Sequence, residues 1–412
     1  MTSTTGPTWL KNIFARPPSA TPAAAASAAQ PTAAPTAAPP LALLAAALRA
    51  PHGASPEELA AAIAGSKARP DLDPELVDDA GFPVTSARCD DAVDETVKEE
   101  IVEWQALSGM AELDWGDAQW RALTLGTAVV RDLAGEALAQ LMPAEGAAPQ
   151  LRLLPILPSG WTLEQRQAAG LWFKHTVAQS GWPVDHLTQV DVPRDATSAR
   201  ILGQYAAESE LPNARNISLV VTCDSHVDQA TVDQWAADGM LSTPTRAQGR
   251  IPGEGAAGIL LTSLANAERM ADAVFAQLHP LLETRREVSI DSAKRAETQR
   301  MTDLAQRALQ AGARQLPEVN YLAADTDQRA GRALELMALA SSALPQLDTT
   351  ADVAHAGVGT GSCGAVSLLC ALALARHAVL LNNAPALFMS NDDPFICTMA
   401  LLSPPLPPAR PA

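Results

Sequence analysis

The stretch that decides the fold is residues 251–261, which read IPGEGAAGILL. Gly253 and Gly255 allow a tight loop to approach neighbouring backbone closely, because glycine has no Cβ atom. The small residues that follow permit close packing, and the apolar run Ile259–Thr262 is typical of a buried strand. We therefore expect a glycine-rich loop that leads directly into a core strand.

The residues around this loop alternate between strand and helix patterns. Residues 217–223 are apolar and β-branched, as expected for a strand buried on both faces. The other elements predicted between residues 187 and 237 are a strand over Leu187–Val192 and helices over Ala196–Glu210 and Thr231–Ala237. This alternation predicts a layered α/β sheet.

The same order of strands and helices recurs further out in both directions. Upstream, we predict a helix over Trp120–Leu141, a strand over Leu151–Leu157 and a helix over Trp161–Gln179 that begins at Thr162. Downstream, we predict a helix over Asp291–Ala311, a strand over Val319–Ala323 and a helix over Gly331–Leu344. A glycine-rich turn at 357–364 then opens the helix Ala365–Leu374. The last predicted element is a hairpin of the strands Ala386–Ser390 and Ile396–Leu401.

Residues 41–65 are rich in Ala and Leu, which favour helices. We predict helices here, with a break at residues 51–53, which read Pro-His-Gly. Ser55 is a good N-cap, Pro56 suits the first helical position, and Glu58 completes a capping pattern.

The motifs resemble those of β-ketoacyl synthases, which belong to the thiolase-like superfamily. Residues 251–261 resemble the family's PGEGAA loop and strand, and Leu219–Ser225 resembles a core strand that ends in an Asp-Ser turn. The other similar segments are Arg121–Leu138, Gly359–Leu369, and Ser390–Asp393 with the strand after it, so that the resemblance runs in order from about residue 45 to 402. It implies an α/β, thiolase-like layered αβαβα fold with two related halves, residues 41–263 and 264–412.

The chemistry of such condensing enzymes needs a thiolate at a helix N-terminus, and two histidines, or a histidine and an asparagine, that bind the thioester carbonyl. By the resemblance, the nucleophile should precede the helix Ala196–Glu210. Residues 195–199 read DATSA, and no cysteine lies between Cys89 and Cys223. Thr197 and Ser198 carry hydroxyls, but without a base these are inert at neutral pH.

The two histidine positions are also filled by other residues. The first should follow the strand Val319–Ala323, where residues 324–327 read ADTD. The second should lie three residues before the turn that begins at Gly364, where the chain has Gly361. The resemblance therefore implies a protein without catalytic residues.

Other site patterns are present but favour structural roles. The glycines of 357–361 lack the preceding strand and the later acidic residue of a dinucleotide loop. Asp224, His226 and Asp228 alternate as metal ligands can, but Asp224 and Ser225 resemble a turn-capping pair. The remaining candidates are Ser362, a helix cap; Cys363, a buried thiol; His355 and His377, isolated histidines; and Asp392 with Asp393, a hairpin turn. We predict no catalytic, cofactor or metal site.

Composition limits the partners and the compartment. The chain has 412 residues, a formal net charge of −17 and a pI near 4.8, which disfavours nucleic acid and anionic membranes. Five cysteines without a CxxC pair are typical of a reduced, cytoplasmic protein. We expect no signal peptide, and the apolar run Val366–Leu381 contains Arg376 and His377, so it predicts a buried helix rather than a membrane span.

Residues 1–40 form a separate segment in the sequence. Residues 17–40 are almost entirely Pro, Ala, Ser and Thr, which predicts an extended linker that tethers the short apolar segment Trp9–Phe14. The segment Trp9–Phe14 is either a peptide that docks on a protein partner or part of a disordered terminus without a function.

Three functions stay open from the sequence. The first is a non-catalytic chaperone or adaptor that binds a protein partner, since the chain resembles cysteine-less thiolase-like proteins found beside effector genes of bacterial type VI secretion systems. The second is an inactive partner subunit of a β-ketoacyl synthase in fatty-acid or polyketide synthesis. The third is an acyltransferase with an atypical nucleophile. The resemblance implies a homodimer or a heterodimer.

Overall fold

The computed structural model describes residues 39–141, 148–190, 201–202, 216–270, 273–292 and 297–405. The Trp9–Phe14 segment, the tail from residue 406, and the Asp195–Ala199 stretch lie outside the described residues, as does all but residues 201–202 of the helix predicted over Ala196–Glu210.

The described residues form thirteen strands and ten helices of regular α-type. The strands are β1 (Leu41–Arg49), β2 (Asp71–Val77), β3 (Pro83–Ser86), β4 (Gln150–Ile156), β5 (Leu187–Gln189), β6 (Asn216–Ser225), β7 (Glu254–Ser263), β8 (Ala276–Leu278), β9 (Leu282–Arg285), β10 (Tyr321–Ala324), β11 (Val353–His355), β12 (Ala386–Ser390) and β13 (Ile396–Ser403). The helices are α1 (Pro56–Ala64), α2 (Glu95–Leu107), α3 (Asp117–Leu141), α4 (Leu163–Gln179), α5 (Gln229–Ala237), α6 (Leu264–Ala267), α7 (Thr298–Ala311), α8 (Ala330–Ala343), α9 (Ala356–Thr360) and α10 (Val366–Asn382).

Two halves with the same strand order build the sheet. Among the described residues, eleven strands pair in the order β11-β10-β12-β13-β8-β1-β7-β6-β4-β5, with β9 beside β13. In the first half, β5, β4 and β6 are parallel, and β7 and β1 follow antiparallel. In the second, β11, β10 and β12 are parallel, and β13 and β8 follow antiparallel. The pairing of β1 with β8 joins the halves.

Alternating side chains divide the interior into three apolar layers. In β6, Leu219 and Val221 pack with α3 and α4 on one face, whereas Val220 faces α10. In β12, Phe388 faces α10, and its neighbours Leu387 and Met389 pack with α7 and α8. The period of two along each strand therefore places α10 between the two halves of the sheet. The predicted layered αβαβα fold with two related halves is confirmed, while the limits at residues 40 and 263 stay predictions.

The helix predicted at the start of residues 41–65 is wrong, because Leu41–Arg49 is strand β1. This strand lies between β7 and β8, and its backbone groups are bonded by neighbours on both sides. Burial in the centre of the sheet thus outweighs the local helix preference of Ala and Leu. A shift in register between Leu43 and Ala45 frees carbonyl groups that Arg376 of α10 contacts, with 3.1 Å from its Nε to the Leu43 oxygen.

Two helix starts that the sequence predicts are confirmed in detail. Ser55 caps α1 by accepting a hydrogen bond from the Glu58 amide at 3.2 Å. Thr162 caps α4 in a capping box with Gln165. None of the described helices is long and apolar enough to cross a bilayer.

Candidate functional site

The PGEGAA loop packs backbone to backbone against the loop after α9. A Cβ atom at Gly253 would lie 2.0 Å from the carbonyl oxygen of Thr360, so that only glycine fits there. The amide of Ser362 donates to the Ile251 oxygen at 2.9 Å. The two glycine-rich segments that the sequence singles out are therefore in direct contact.

Gly361, at the expected position of the second histidine, has a backbone that side chains rarely adopt. Its φ and ψ are 66° and −163°, a region occupied almost only by glycine. A Cβ atom would also lie 2.9 Å from the Gly253 Cα and 3.1 Å from the Ile251 oxygen. The backbone conformation and the close contacts at residue 361 therefore favour glycine and disfavour histidine.

The segment expected to carry the first histidine places Asp325 directly after β10. Its carboxylate accepts a hydrogen bond from the Ser390 hydroxyl at 2.5 Å and another from the Asn391 amide at 2.8 Å. Burial, reinforced by the nearby charge of Asp392, raises the pKa of Asp325 to about 7. Both carboxylate oxygens of Asp325 therefore accept hydrogen bonds from residues at the end of β12.

A network of ion pairs lies beside this carboxyl group; its arginines and Asp327 are buried, whereas Asp291 and Asp392 are about half exposed. Arg329 joins Asp327, at 2.6 Å, to Asp392, at 2.5 Å. One turn along α8, Arg332 contacts Asp291 and donates to the Asp392 carbonyl at 2.6 Å. These contacts hold the loop after β10 against the β12–β13 turn, so the predicted turn role of Asp392 includes two arginine contacts that the sequence did not indicate.

A second arginine pair lies beneath the network. Arg286 donates to both carboxylate oxygens of Glu335, at 3.0 and 2.7 Å, and both side chains are almost fully buried. Asn391 also donates to Glu335 at 3.1 Å. Helix α8 consequently buries its ionisable residues, Arg332 and Glu335, while Leu334 and Met337 are exposed.

We expect Arg286→Met to lower the free energy of unfolding by about 3–5 kcal/mol, because it leaves the Glu335 carboxylate buried without its cation. The double variant Arg286→Met/Glu335→Leu should recover most of this loss, since both charges are then gone. Urea denaturation of the three proteins measures the effect. Equal losses in the single and double variants would contradict an uncompensated charge as the cause.

The glutamate of the PGEGAA motif is an internal anchor. Glu254 is fully buried and accepts hydrogen bonds from Arg121 of α3 at 2.7 and 2.5 Å. The Ser225 hydroxyl and the Cys89 amide complete its bonds at 2.8 and 2.7 Å. The sequence motif marks Glu254, but nothing local to Arg121 identifies it as the partner.

Asp224 at the end of β6, and His226 and Asp228 just after it, make separate contacts. Asp228 caps α5 through the Thr231 amide at 2.9 Å. His226 donates from Nδ1 to the Ser362 oxygen at 2.6 Å, and its Nε2 lies 3.8 Å from Asp224. Burial raises the pKa of Asp224. Among the described residues, no group of three His, Cys, Asp or Glu side chains is arranged to hold a metal ion.

The thiols are all buried and free in the described part of the chain. Burial raises the pKa of Cys363 to about 12, so this thiol is neutral at physiological pH. Its sulfur lies 3.5 Å from the Ser367 hydroxyl. The preceding glycines form the short helix α9 rather than a phosphate-binding loop.

We expect a thiol reagent such as 5,5′-dithiobis(2-nitrobenzoate) to label no cysteine of the native protein and all five after unfolding. The reason is that reaction requires an accessible thiolate, and burial opposes both access and ionisation. Rapid labelling of one cysteine in the native state, located by peptide mass spectrometry, would contradict this description.

A cleft of about 1110 Å³ opens at the carboxyl ends of β4 and β6. These neighbouring parallel strands continue in opposite directions along the sheet, β4 toward β5 and β6 toward β7. Such switch points are the usual ligand sites of open α/β sheets. Asp224 and His226 lie in the wall, together with Arg166 of α4 and Gln189 of β5. The sequence identified the first two as candidates and missed the others.

Solved structures that align with this chain include ketosynthases and a ketosynthase/chain length factor. The ishigamide ketosynthase/chain length factor aligns with a TM-score of 0.55 and 16% identity, over 89% of this chain and 99% of that one. The oxazolomycin ketosynthase domain of Streptomyces albus JA3453 aligns with a TM-score of 0.60 and 13% identity, over 91% and 75% of the two chains. The module 6 ketosynthase of the bacillaene synthase from Bacillus subtilis 168 gives 0.59 and 13%, over 89% and 72%.

The chain has the thiolase-like ketosynthase fold. No protein-family model and no curated protein matches the chain. At 13–16% identity the likeness is one of fold, and it confirms the expected layered α/β fold.

Proposed function

We propose that this protein is a non-catalytic subunit that pairs with an active ketosynthase. One observation carries the proposal: the two positions expected to hold histidines have structural roles of their own. Asp325 accepts bonds from Ser390 and Asn391, and Gly361 fits its backbone only as glycine. Loops that are packed at these two positions without the catalytic side chains suit a binding role.

The similarity to solved structures supports a ketosynthase as the partner. A ketosynthase/chain length factor is among the similar structures, and the likeness spans 99% of its chain. A catalytically silent relative of a ketosynthase would bind a subunit of its own architecture. We therefore infer a heterodimer in a reduced compartment, with the condensation chemistry supplied by a cysteine-containing partner.

The test is recovery of the partner from the native host. The protein carries a C-terminal tag, which leaves the N-terminal arm free, and co-purified proteins are identified by mass spectrometry. We expect a cysteine-containing ketosynthase, and condensation of acyl thioesters only when both proteins are mixed. Condensation by the purified chain alone, or a covalent acyl adduct detected by intact mass, would contradict a non-catalytic role.

The adaptor role for a type VI secretion effector remains the second candidate. It rests on the same packed scaffold, which suits any protein partner, and on the sequence resemblance. The similar structures described above are two ketosynthases and a ketosynthase/chain length factor, and they give it no separate support. Recovery of a secreted effector instead of a ketosynthase in the same purification would favour it.

A further inference from the structure

The hairpin of β2 and β3 has apolar residues on both faces, but the described residues cover only one face. Leu76 and Val84 on the inner face pack in one cluster with Trp235 of α5. By contrast, Leu72 is 66% exposed, and Phe82 in the turn is 67% exposed. Large apolar side chains that lie together in water are typical of a binding surface, because their exposure costs free energy.

The register of the hairpin brings its outer side chains together. Leu72 lies opposite Thr85, and Val77 lies opposite Pro83. Because Pro83 and Thr85 are two residues apart in β3, they point to the same side and lie about 7 Å apart. Leu72 and Val77 therefore belong to one outer face, although a bulge lies between them in β2.

The turn at the tip holds the backbone of Phe82 in place although its side chain is exposed. The Asp78 amide donates to the Phe82 oxygen at 2.8 Å, and the Asp78 carboxylate accepts from the Phe82 amide at 2.8 Å. On the inner face, Asp73 accepts from Ser86 at 2.5 Å and from Arg88 at 3.0 and 2.9 Å. The outer face is therefore preformed, and a partner does not have to order it.

The hairpin and the groove beside it are acidic. Residues 71–86 contain five carboxylates and no lysine or arginine. Glu75 of the hairpin lines a groove of about 400 Å³, and the other carboxylates in its wall are Asp94, Glu95, Asp117 and Asp228. The basic residues of that wall already pair with carboxylates of this chain; they are Arg88, Lys98 and Arg121. Two copies of this surface repel each other, so the complementary partner is basic.

We propose that this outer face of the hairpin binds a basic, apolar segment of a protein partner. Leu72, Val77 and Phe82 contact apolar side chains of the segment, and its lysine or arginine side chains pair with carboxylates of the hairpin. Aromatic anchors surrounded by polar contacts supply much of the affinity of such interfaces, and Phe82 is the anchor here. The inference goes beyond the proposed heterodimer, because it assigns a surface and a partner chemistry that the heterodimer does not require.

The test uses the peptide acetyl-Lys-Lys-Leu-Trp-Leu-Lys-Lys-amide and measures its binding to the full chain by calorimetry. We expect a Kd on the order of tens of micromolar at low salt, weakened about tenfold by Phe82→Ser and several-fold by Leu72→Thr, since each removes apolar contact area and no charge. Melting temperatures should change little, because both side chains are exposed. Leu381→Ser, at the exposed end of α10, is the matched control and should bind like the wild type.

Two further peptides separate charge from apolar contact. Acetyl-Glu-Glu-Leu-Trp-Leu-Glu-Glu-amide has the same apolar centre and should not bind, because its charge repels the hairpin. Acetyl-Lys-Lys-Gly-Ser-Gly-Lys-Lys-amide keeps the charge and should bind about tenfold more weakly, since it has no side chains for the apolar face.

Four results would overturn the proposal. They are no binding of the basic apolar peptide to the wild type, equal binding of the glycine–serine peptide, equal binding by the Phe82 and Leu72 variants, and equal weakening by Leu381→Ser. A dimer that the wild type forms in analytical ultracentrifugation and Phe82→Ser loses would assign the face to a second copy, and would overturn it as well. None of these results depends on recovery of a ketosynthase partner.

Discussion

Replacing Asp325 by asparagine is expected to stabilise the protein at pH 8 by up to ~4 kcal/mol and to leave its stability at pH 4 nearly unchanged. The carboxyl group has a pKa of about 7 in the folded protein, against 3.8 when it is unperturbed. The folded state therefore binds this proton more tightly than the unfolded state. Wild-type stability falls as the pH rises from about 4 to about 7, and the asparagine variant lacks this fall.

The geometry around Asp325 explains why asparagine can replace it. The side-chain oxygen of asparagine still accepts the bond from the Asn391 amide, and the Ser390 hydroxyl can rotate to accept instead of donate. Among the described residues, no cation is paired with Asp325, and the nearby Arg329 pairs with Asp327 and Asp392 instead. The ionised form thus has hydrogen bonds without a counter-charge, which is why removing the charge stabilises the fold.

Urea denaturation across pH 4–8 tests this expectation, with the difference between the two proteins as the readout. Asp303→Asn, on the exposed side of α7, is the matched control and should give curves that stay parallel to the wild type. Parallel curves for Asp325→Asn as well would show that the carboxyl group titrates at an ordinary pH.

The sequence predicted the elements whose signals are local. Buried apolar strands such as β6, and caps such as Ser55, follow from residue type and spacing, and the structure confirms them. Strand β1 was missed because its helix-favouring side chains carry no trace of the two neighbouring strands that bond it. Pairing across more than 200 residues decides that element, and no window of sequence contains it.

In the candidate site, too, only the features with a local sequence signal could be predicted. The glycines of the two packed loops could be predicted, because glycine-rich motifs indicate close backbone approach. The partners of the buried charges could not, since Arg121 and Glu254, or Arg286 and Glu335, are far apart in the chain.

Restoring the missing histidine by Gly361→His is expected to destabilise the fold by about 4 kcal/mol and to restore no condensation activity. Part of the loss comes from the backbone, since φ of 66° with ψ of −163° is strained for any residue with a Cβ atom. The rest comes from crowding, because the Gly253 Cα would lie 2.9 Å from that atom. An imidazole cannot enter this position without displacing the PGEGAA loop.

Two further variants test whether the loss begins at the Cβ atom rather than at the imidazole ring. Gly361→Ala should lose most of the same free energy, since the clash begins at Cβ and not at the ring. Gly135→Ala, in the middle of α3, is the control: nothing lies within 4 Å of an added Cβ atom, so alanine should stabilise the helix by about 1 kcal/mol. A stable Gly361→His protein would mean that the loop can accept a side chain. The vacancy would then be a simple loss of one histidine, whereas destabilisation by both Gly361 variants ties the vacancy to the packing of the two loops.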